Sequence, residues 1–365
     1  MKQRILFILH LPPPVHGAAM VGKYIHDSKL INSSFECRYI NLTTANSLTD
    51  IGKIKLSKLK PFVHLINNIR HQVKLFKPQL VYVTPNAAGG PFYKDFIIVQ
   101  MLKAMGCRVV AHYHNKGVST RQDRWIDNLL YRKFFKGIKV ILLGKSLYKD
   151  VEKYVKWQDV YICPNGIPVS SSPLPEKKQN PIPCLLFLSN LLESKGVFVL
   201  LDALSMLKDK GYSFICDFVG GETAEIDAKR FQTEVEKRGL NDLVFYHGRK
   251  YGEEKDAFFR NSDLFVFPTF NDCFPLVLLE AMEHGIPCIS TDEGAISDII
   301  EDGKNGLIVE RRNPEMLANC IEQLLSNNQK CCSMGEAGRK KFKQEFTLSM
   351  FEQNFTENIK SIFAC

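Results

Sequence analysis

Two series of short apolar runs, separated by a proline-rich stretch, constrain the fold of this chain more than any other feature. In the first half the runs lie at residues 4–9, 80–84, 108–112, 139–143 and 160–163. They are rich in Val, Ile and Leu without strict polar alternation, which is typical of strands buried on both faces of a parallel sheet. Stretches with helical periodicity separate them, so we expect β-α-β repetition and a doubly wound sheet.

The pattern restarts after the proline-rich stretch. Six further runs lie at residues 184–188, 214–219, 243–246, 264–267, 288–290 and 307–309. We therefore predict an α/β chain with two Rossmann-like doubly wound domains that face a cleft. The predicted parts are a first domain at 1–166, a linker at 167–183, a second domain at 184–345, and a C-terminal helix at 346–365 that crosses back to the first domain.

Charge divides the chain as the apolar runs do. The net charge is +9, but residues 1–170 hold 26 Lys and Arg against 9 Asp and Glu, whereas residues 171–365 hold 22 against 30. A basic first half suits phosphates or an anionic membrane surface. Nucleic acid is disfavoured as a partner because the recognition motifs and interleaved aromatic residues of such proteins are missing.

The composition also indicates a compartment. The 11 cysteines form neither C-x-x-C pairs nor metal-binding spacings with His. This indicates reduced thiols in a cytoplasm and no metal site. No apolar run approaches the 18 or so residues of a membrane span. We therefore expect a cytoplasmic protein.

Two loops of the first domain carry candidate binding residues. The segment LPPPVHGAAM after the first run places His16, Gly17 and Ala18 at a helix start, where free N–H groups bind anions. It lacks the G-x-G-x-x-G fingerprint of dinucleotide-binding enzymes, which argues against a dehydrogenase. After the run at 108–112, His114 stands beside a glycine loop, where it could bind a substrate hydroxyl.

The second domain carries the stronger motifs. Lys195 precedes a glycine in the first strand-to-helix turn, where its ammonium group could bind a phosphate. In FPTFNDCFPLVLLEAMEHG, Asp272 follows a buried strand and Glu280 lies two helical turns further on. Carboxylates accept hydrogen bonds from vicinal hydroxyls, and N–H groups of the turn between them could face a phosphate.

These segments together resemble the retaining glycosyltransferases of family 4, which use nucleotide sugars and have the GT-B fold. PTFNDCFPLVLLEAM is similar to the E-x7-E string of that family, with Asp272 in place of the first Glu and Glu280 as the second. LLESKG resembles the family's strand-end turn, with Asn190 where Arg is usual. The N-terminal segment resembles enzymes of bacterial surface polysaccharides.

The resemblance implies a role for each matching residue. Glu280 would bind the ribose hydroxyls, and Asp272 with the turn Cys273, Phe274, Pro275 and Leu276 would bind sugar hydroxyls and the diphosphate. Lys195, helped by Asn190, would neutralise the leaving group, and Gly294 matches the first glycine of a later loop. His114 would contact the transferred sugar, and His16, Gly17 and Ala18 would form the acceptor-side loop.

The implied activity is transfer of a hexose-type sugar from a nucleotide diphosphate sugar, UDP- or GDP-linked, to a saccharide or lipid-linked acceptor. The expected setting is bacterial polysaccharide or lipopolysaccharide synthesis, without a cofactor or metal. Residues 51–77 mix Lys and Arg with apolar residues, so they could contact anionic lipid at the inner face of the membrane. The alternatives are a nucleotide-sugar epimerase of GT-B type and a non-catalytic sugar-nucleotide binder.

Overall fold

The chain is built from two compact units. The computed structural model describes residues 2–13, 17–42, 59–170 and 180–364. Unit 1 comprises Met1–Asn165 and Leu348–Cys365, and unit 2 comprises Gly166–Thr347. Each unit contains one six-stranded sheet in which all registered strand pairs are parallel. This confirms the predicted α/β class with two doubly wound parallel sheets.

The sheet of unit 1 has the strand order β2-β1-β3-β4-β5-β6. Its strands are β1 (Arg4–Leu9), β2 (Glu36–Asn41), β3 (Leu80–Val83), β4 (Val109–His112), β5 (Lys139–Leu142) and β6 (Val160–Ile162). The helices of this unit are α1 (Gly17–Asp27), α2 (Lys29–Ser34), α3 (Leu59–Phe76), α4 (Gly89–Ala104), α5 (Trp125–Phe135), α6 (Tyr148–Val151) and α14 (Leu348–Ala364).

The strand β2 was not predicted from the sequence. It pairs in parallel with β1 at the edge of the sheet, from Arg4 opposite Glu36 to Leu9 opposite Asn41. Only Ile40 of its six residues is buried. An edge strand that is half exposed needs no continuous apolar run, so the pattern that identified the central strands does not mark it.

The last helix of the chain packs within unit 1. Phe351, Phe355, Ile359 and Ile362 of α14 are fully buried at helical spacing and belong to the same apolar core as β1. The Asn358 amide donates to the Ile162 carbonyl at 2.9 Å. The Arg108 guanidinium donates to the carbonyls of Ile362 and Phe363.

The sheet of unit 2 has the strand order β12-β11-β10-β7-β8-β9. Its strands are β7 (Cys184–Leu188), β8 (Ile215–Val219), β9 (Val244–Tyr246), β10 (Leu264–Phe267), β11 (Cys288–Thr291) and β12 (Gly306–Val309). The helices of this unit are α7 (Val197–Asp209), α8 (Ala228–Lys237), α9 (Gly252–Asn261), α10 (Leu276–Glu283), α11 (Ile296–Ile299), α12 (Pro314–Leu325) and α13 (Asn328–Lys341).

Several helix boundaries differ from the sequence pattern. The sequence pattern predicts helices over residues 121–135 and 145–155. The first begins at Trp125, and the second is shortened to a 3-10 turn at Lys145–Leu147 and α6. The proline-rich stretch belongs in part to unit 2, where the Ile167 amide donates to the Phe346 carbonyl at 3.0 Å. Residues 171–179 of that stretch lie outside the described residues.

The basic segment predicted at residues 51–77 is described from residue 59 onward, where it forms α3. Its apolar stripe Leu65, Ile69, Val73 and Phe76 is buried. No helix among the described residues is both long enough and apolar enough to span a membrane.

A buried histidine lies at the carboxyl end of β4. His112 is completely buried, and its Nδ1 atom lies 2.7 Å from the Tyr82 hydroxyl. Burial, together with the nearby His114, holds the pKa of His112 well below its ordinary value of 6.5. His112 is therefore neutral in the folded protein at neutral pH.

This burial predicts a pH-dependent stability of unit 1. The unfolded chain gains a proton at His112 below about pH 6.5 that the folded chain does not, so the unfolding free energy falls by up to about 1.4 kcal/mol per pH unit in that range. The variant His112→Gln should lose this contribution. Urea unfolding at pH 5 to 7, followed by fluorescence of the 2 tryptophans, which both lie in unit 1, measures it. Equal pH dependence in both proteins would contradict the assignment.

Candidate functional site

The predicted site residues of unit 2 come from turns at one edge of its sheet. In a parallel sheet the carboxyl ends of the strands share an edge, so the turns after β7, β10 and β11 meet there. Lys195 follows β7, Asp272 follows β10 and Gly294 follows β11. Glu280 lies on α10, which begins at the same edge.

Lys195 and Asp272 form an ion pair at this edge. The Lys195 ammonium donates to Asp272 Oδ2 at 2.6 Å and to the Asn271 carbonyl at 2.9 Å. Both side chains are mostly but not fully buried. Gly196 makes the approach possible, because it has a φ of +82° and a Cβ there would lie 2.2 Å from the Pro268 carbonyl oxygen. The Lys195 ammonium is thus held at the surface of the site, and the Asp272 carboxylate balances part of its charge.

The turn that carries Asp272 is fixed from both sides. Asp272 Oδ1 accepts from the Cys273 amide at 2.8 Å, and the Asp272 amide donates to Glu293 Oε1 at 3.2 Å. Glu293 is buried and its other oxygen accepts from Arg311 at 2.9 Å. Gly294 has a φ of +59°, and a Cβ on it would lie 2.6 Å from the Asp272 carbonyl oxygen. The β11 turn therefore packs directly against the β10 turn.

The turn leads into α10 without a capping side chain. Cys273, Phe274 and Pro275 are buried, and Pro275 is the N-cap residue, which has no side chain that can bond to the first-turn amides. These amides, beginning at Leu276, lie at the carboxyl edge of the sheet, as Lys195 does. N–H groups at a helix start favour an anion, as does the ammonium group beside them.

One carboxylate oxygen of Glu280 accepts a hydrogen bond from the protein, and the other has no partner among the described residues. Its Oε1 accepts from the Lys255 ammonium on α9 at 2.6 Å. Its Oε2 is buried and has no hydrogen-bond partner among the described residues. A buried carboxylate oxygen without a donor is costly, so this atom is suited to accept from a ligand hydroxyl.

Asn190 and Arg249 both lie against Gly221, which follows β8. Asn190 Oδ1 accepts from the Gly221 amide at 3.2 Å. A Cβ on Gly221 would lie 2.3 Å from Arg249 Nη2, so the Arg249 guanidinium covers the same glycine. Arg249 is exposed and pairs with no carboxylate of the described residues. A guanidinium thus lies next to the position at which the resemblance leads us to expect an arginine.

The predicted residues of unit 1 lie at the corresponding edge of its own sheet. The His114 ring follows β4 and lies 4.2 Å from the His112 ring, centroid to centroid. The loop beyond it is anchored by Asp150, which accepts from the amides of Gly117 and Ser119, both at 2.9 Å. Gly17 and Ala18 begin α1 after β1, and His16 lies outside the described residues.

Two contributors to the unit 2 site were not assigned to it from the sequence, and the structure gives the contact of a third. Lys255 and Glu293 carry no motif of their own, and only the folded chain places them against Glu280 and Asp272. The sequence predicts that residues 246–249 lie on the side of the site that would bind the base, and the contact of Arg249 with Gly221 places Arg249 near Asn190. Among the described residues no three His, Cys, Asp or Glu side chains are grouped to hold a metal ion.

Comparison with known protein families bears on unit 2. Residues 172–341 match the family described as Glycosyl transferases group 1. The matched segment lies within unit 2. An uncharacterized glycosyltransferase of Methanocaldococcus jannaschii is 32% identical over 162 residues, which cover 44% of this chain and 43% of that protein. The chain thus spans less than half the length of the curated relatives it matches.

Solved structures resemble the whole chain. The lipopolysaccharide outer core galactosyltransferase WaaB matches with a TM-score of 0.75 at 17% identity, over 98% of this chain and 99% of that one. HepE of Anabaena, solved with UDP and glucose, matches with a TM-score of 0.71 at 15% identity, over 99% and 100%. At this level of identity the likeness shows the fold, which is that of the GT-B glycosyltransferases.

The packing of unit 2 predicts an unequal effect of two glycine substitutions. Gly294 and Gly303 both have left-handed backbone, with φ of +59° and +75°, but only a Cβ on Gly294 meets other atoms within 4 Å. Both alanine variants are strained, and Gly294→Ala must also displace the Asp272 turn. We expect Gly294→Ala to melt at least about 4 °C below Gly303→Ala by calorimetry. Equal melting temperatures would show that the two turns are not packed as described.

Proposed function

We propose that the chain is a retaining, cytoplasmic glycosyltransferase. It takes a hexose-type sugar from a nucleoside diphosphate donor and transfers it to a saccharide or lipid-linked acceptor of bacterial surface polysaccharide synthesis. The match to the group 1 glycosyltransferases supports glycosyl transfer, and HepE, a structure of the same fold, was solved with UDP. The observation that carries the proposal is the grouping of Lys195, Asp272 and Glu280 at the carboxyl edge of one sheet.

Unit 2 would hold the nucleotide at Glu280. A carboxylate accepts hydrogen bonds from both hydroxyls of a ribose diol, and Glu280 Oε2 has no donor among the described residues. Lys255 would keep Oε1 in place. We therefore propose Glu280 as the residue that binds the ribose, as the resemblance implies.

The diphosphate would lie between the cations and the helix start. Lys195, Arg249 and the first amides of α10 supply positive charge at the edge where the leaving group develops its negative charge. Fixed donors at such a position stabilise the transition state without rearranging during the reaction. Arg249 would supply the bidentate contact that Asn190, a neutral amide, cannot make.

The transfer itself would occur by attack on the face of the sugar from which the leaving group departs. The acceptor hydroxyl forms the new bond to the anomeric carbon while the bond from that carbon to the diphosphate oxygen breaks. The hydroxyl proton passes to that diphosphate oxygen. The configuration is retained because the new bond forms on the face that the leaving group vacates. Asp272 would orient the sugar hydroxyls, and His114 is proposed as the unit 1 residue that contacts the transferred sugar.

Turnover of site variants tests this proposal. We expect Lys195→Ala to lower kcat by at least about 100-fold, because it removes a fixed cation from the leaving group. Glu280→Ala should abolish measurable turnover, and Arg249→Ala should be more severe than Arg249→Lys. Lys210→Ala is the matched control. Lys210 is an exposed lysine that follows the C-terminal end of α7 and pairs with Glu322 of α12. The assay follows release of nucleoside diphosphate with a lipid-linked acceptor, and NMR gives the configuration of the product.

Each alternative gives a different result in the same assay. Normal turnover in Lys195→Ala or Glu280→Ala would overturn the site assignment. An isomerised nucleotide sugar released without acceptor would identify an epimerase. A donor that binds and is never consumed would identify a non-catalytic binder.

A further inference from the structure

Five large apolar side chains of unit 1 are exposed together on α4 and α5. Trp125 is 75% exposed, Ile126 52% and Leu129 45%, all on α5, and Ile97 on α4 is 48% exposed. Tyr93, also on α4, is 36% exposed. We refer to these five residues as the α4–α5 face.

The two helices that carry the α4–α5 face pack side by side. Phe92 of α4 lies between Tyr131 and Phe134 of α5, with ring centroids 4.5 and 5.6 Å apart. The Tyr93 hydroxyl donates to Asp127 Oδ1 at 2.7 Å, and the Gln100 amide donates to the Lys133 carbonyl at 3.3 Å. Helical spacing places Ile97 on the side of α4 that carries Tyr93, and Leu129 one turn from Trp125 and Ile126.

Cations accompany this apolar surface along α5. Arg124, Arg132, Lys133 and Lys136 are exposed on α5 or next to its ends. The two acidic residues of the same stretch are compensated. Asp127 is buried and lies 3.6 Å from the Arg121 guanidinium, and Asp123 lies 3.6 Å from the Lys153 ammonium. The face therefore combines apolar area with a net positive rim.

The α4–α5 face lies toward one end of the sheet. Helices that connect parallel strands run opposite to them, so their N-terminal ends lie at the carboxyl edge of the strands. Tyr93 is in the first turns of α4, and Trp125 and Ile126 begin α5. This is the edge of unit 1 at which His114 lies.

We infer that the α4–α5 face docks the protein onto an anionic membrane surface. Tryptophan and tyrosine favour the interface between water and lipid, where the ring is buried and the polar group stays hydrated. Basic residues at the rim are attracted to anionic headgroups, which a neutral membrane lacks. The apolar stripe of α3, in the segment first predicted to bind lipid, is instead buried in unit 1.

The inference is independent of the donor site. A protein held by this face has the His114 edge of unit 1 close to the membrane, where a lipid-linked acceptor would be reached. Loss of docking therefore leaves nucleotide binding intact, and loss of nucleotide binding leaves docking intact.

Tryptophan fluorescence tests the docking directly. The chain has 2 tryptophans, Trp125 and Trp157, so Trp157→Phe leaves Trp125 as the only one. The phenyl ring preserves the aromatic contact with Tyr148. We expect a blue shift of Trp125 emission with vesicles of phosphatidylglycerol and phosphatidylcholine, quenching by brominated lipid, and reversal by high salt. Vesicles of pure phosphatidylcholine should give little change.

Sedimentation with the same vesicles supplies the second measurement. We expect Trp125→Ser/Ile126→Ser to weaken partitioning by at least about tenfold, because it removes the most exposed apolar side chains of the face. Tyr251→Ser, an exposed aromatic residue of unit 2, is the control and should partition like the wild type. Sedimentation without a Trp125 blue shift would place the membrane contact elsewhere. Absence of sedimentation, or a blue shift that depends on protein concentration without vesicles, would overturn the proposal in favour of no docking or self-association.

Discussion

The ion pair between Lys195 and Asp272 is the interaction on which the unit 2 site depends. It connects the turn after β7 with the turn after β10, and the 2.6 Å contact holds an ammonium group at the carboxyl edge of the sheet. Asp272 is in turn fixed by Glu293, which Arg311 holds from the other side. Lys255 on α9 and Glu280 on α10 form a second pair of an ammonium and a carboxylate group. A negatively charged ligand at this edge would compete with Asp272 for Lys195, so the pair keeps the cation positioned before the ligand arrives.

Much of the fold could be predicted from the sequence because its strands are buried on both faces. Leu264–Phe267 is an uninterrupted apolar run and forms the fully buried β10. The edge strand β2 has no such run, since one side of it remains exposed, and it could be found only from its pairing with β1. The start of α5 at Trp125 is similarly hidden, because the polar residues 121–124 before it form a turn but would fit the exposed side of a helix equally well.

The candidate site could be predicted only where a motif carries it. Asp272 and Glu280 stand in one string of sequence, and the structure places them on the turn and helix expected for them. Lys255 lies 25 residues before Glu280, so it cannot be assigned without the folded chain, and only the contact with Gly221 places Arg249 near Asn190. The two units divide the chemistry as their charges suggest. The acidic unit 2 concentrates its few critical cations at one edge, and the basic unit 1 presents an apolar face rimmed with cations.

Thermal stabilisation by nucleotide sugars tests the central claim, that the carboxyl edge of unit 2 binds a nucleoside diphosphate sugar. The wild type and Glu280→Ala would each be melted with UDP-, GDP-, ADP- and CMP-linked sugars. Ligand at 100 times its Kd stabilises the native state by about 2.7 kcal/mol, so we predict a rise of about 5 °C or more for one nucleotide in the wild type. The same ligand should leave Glu280→Ala unchanged. No rise with any donor, or an equal rise in both proteins, would contradict the account.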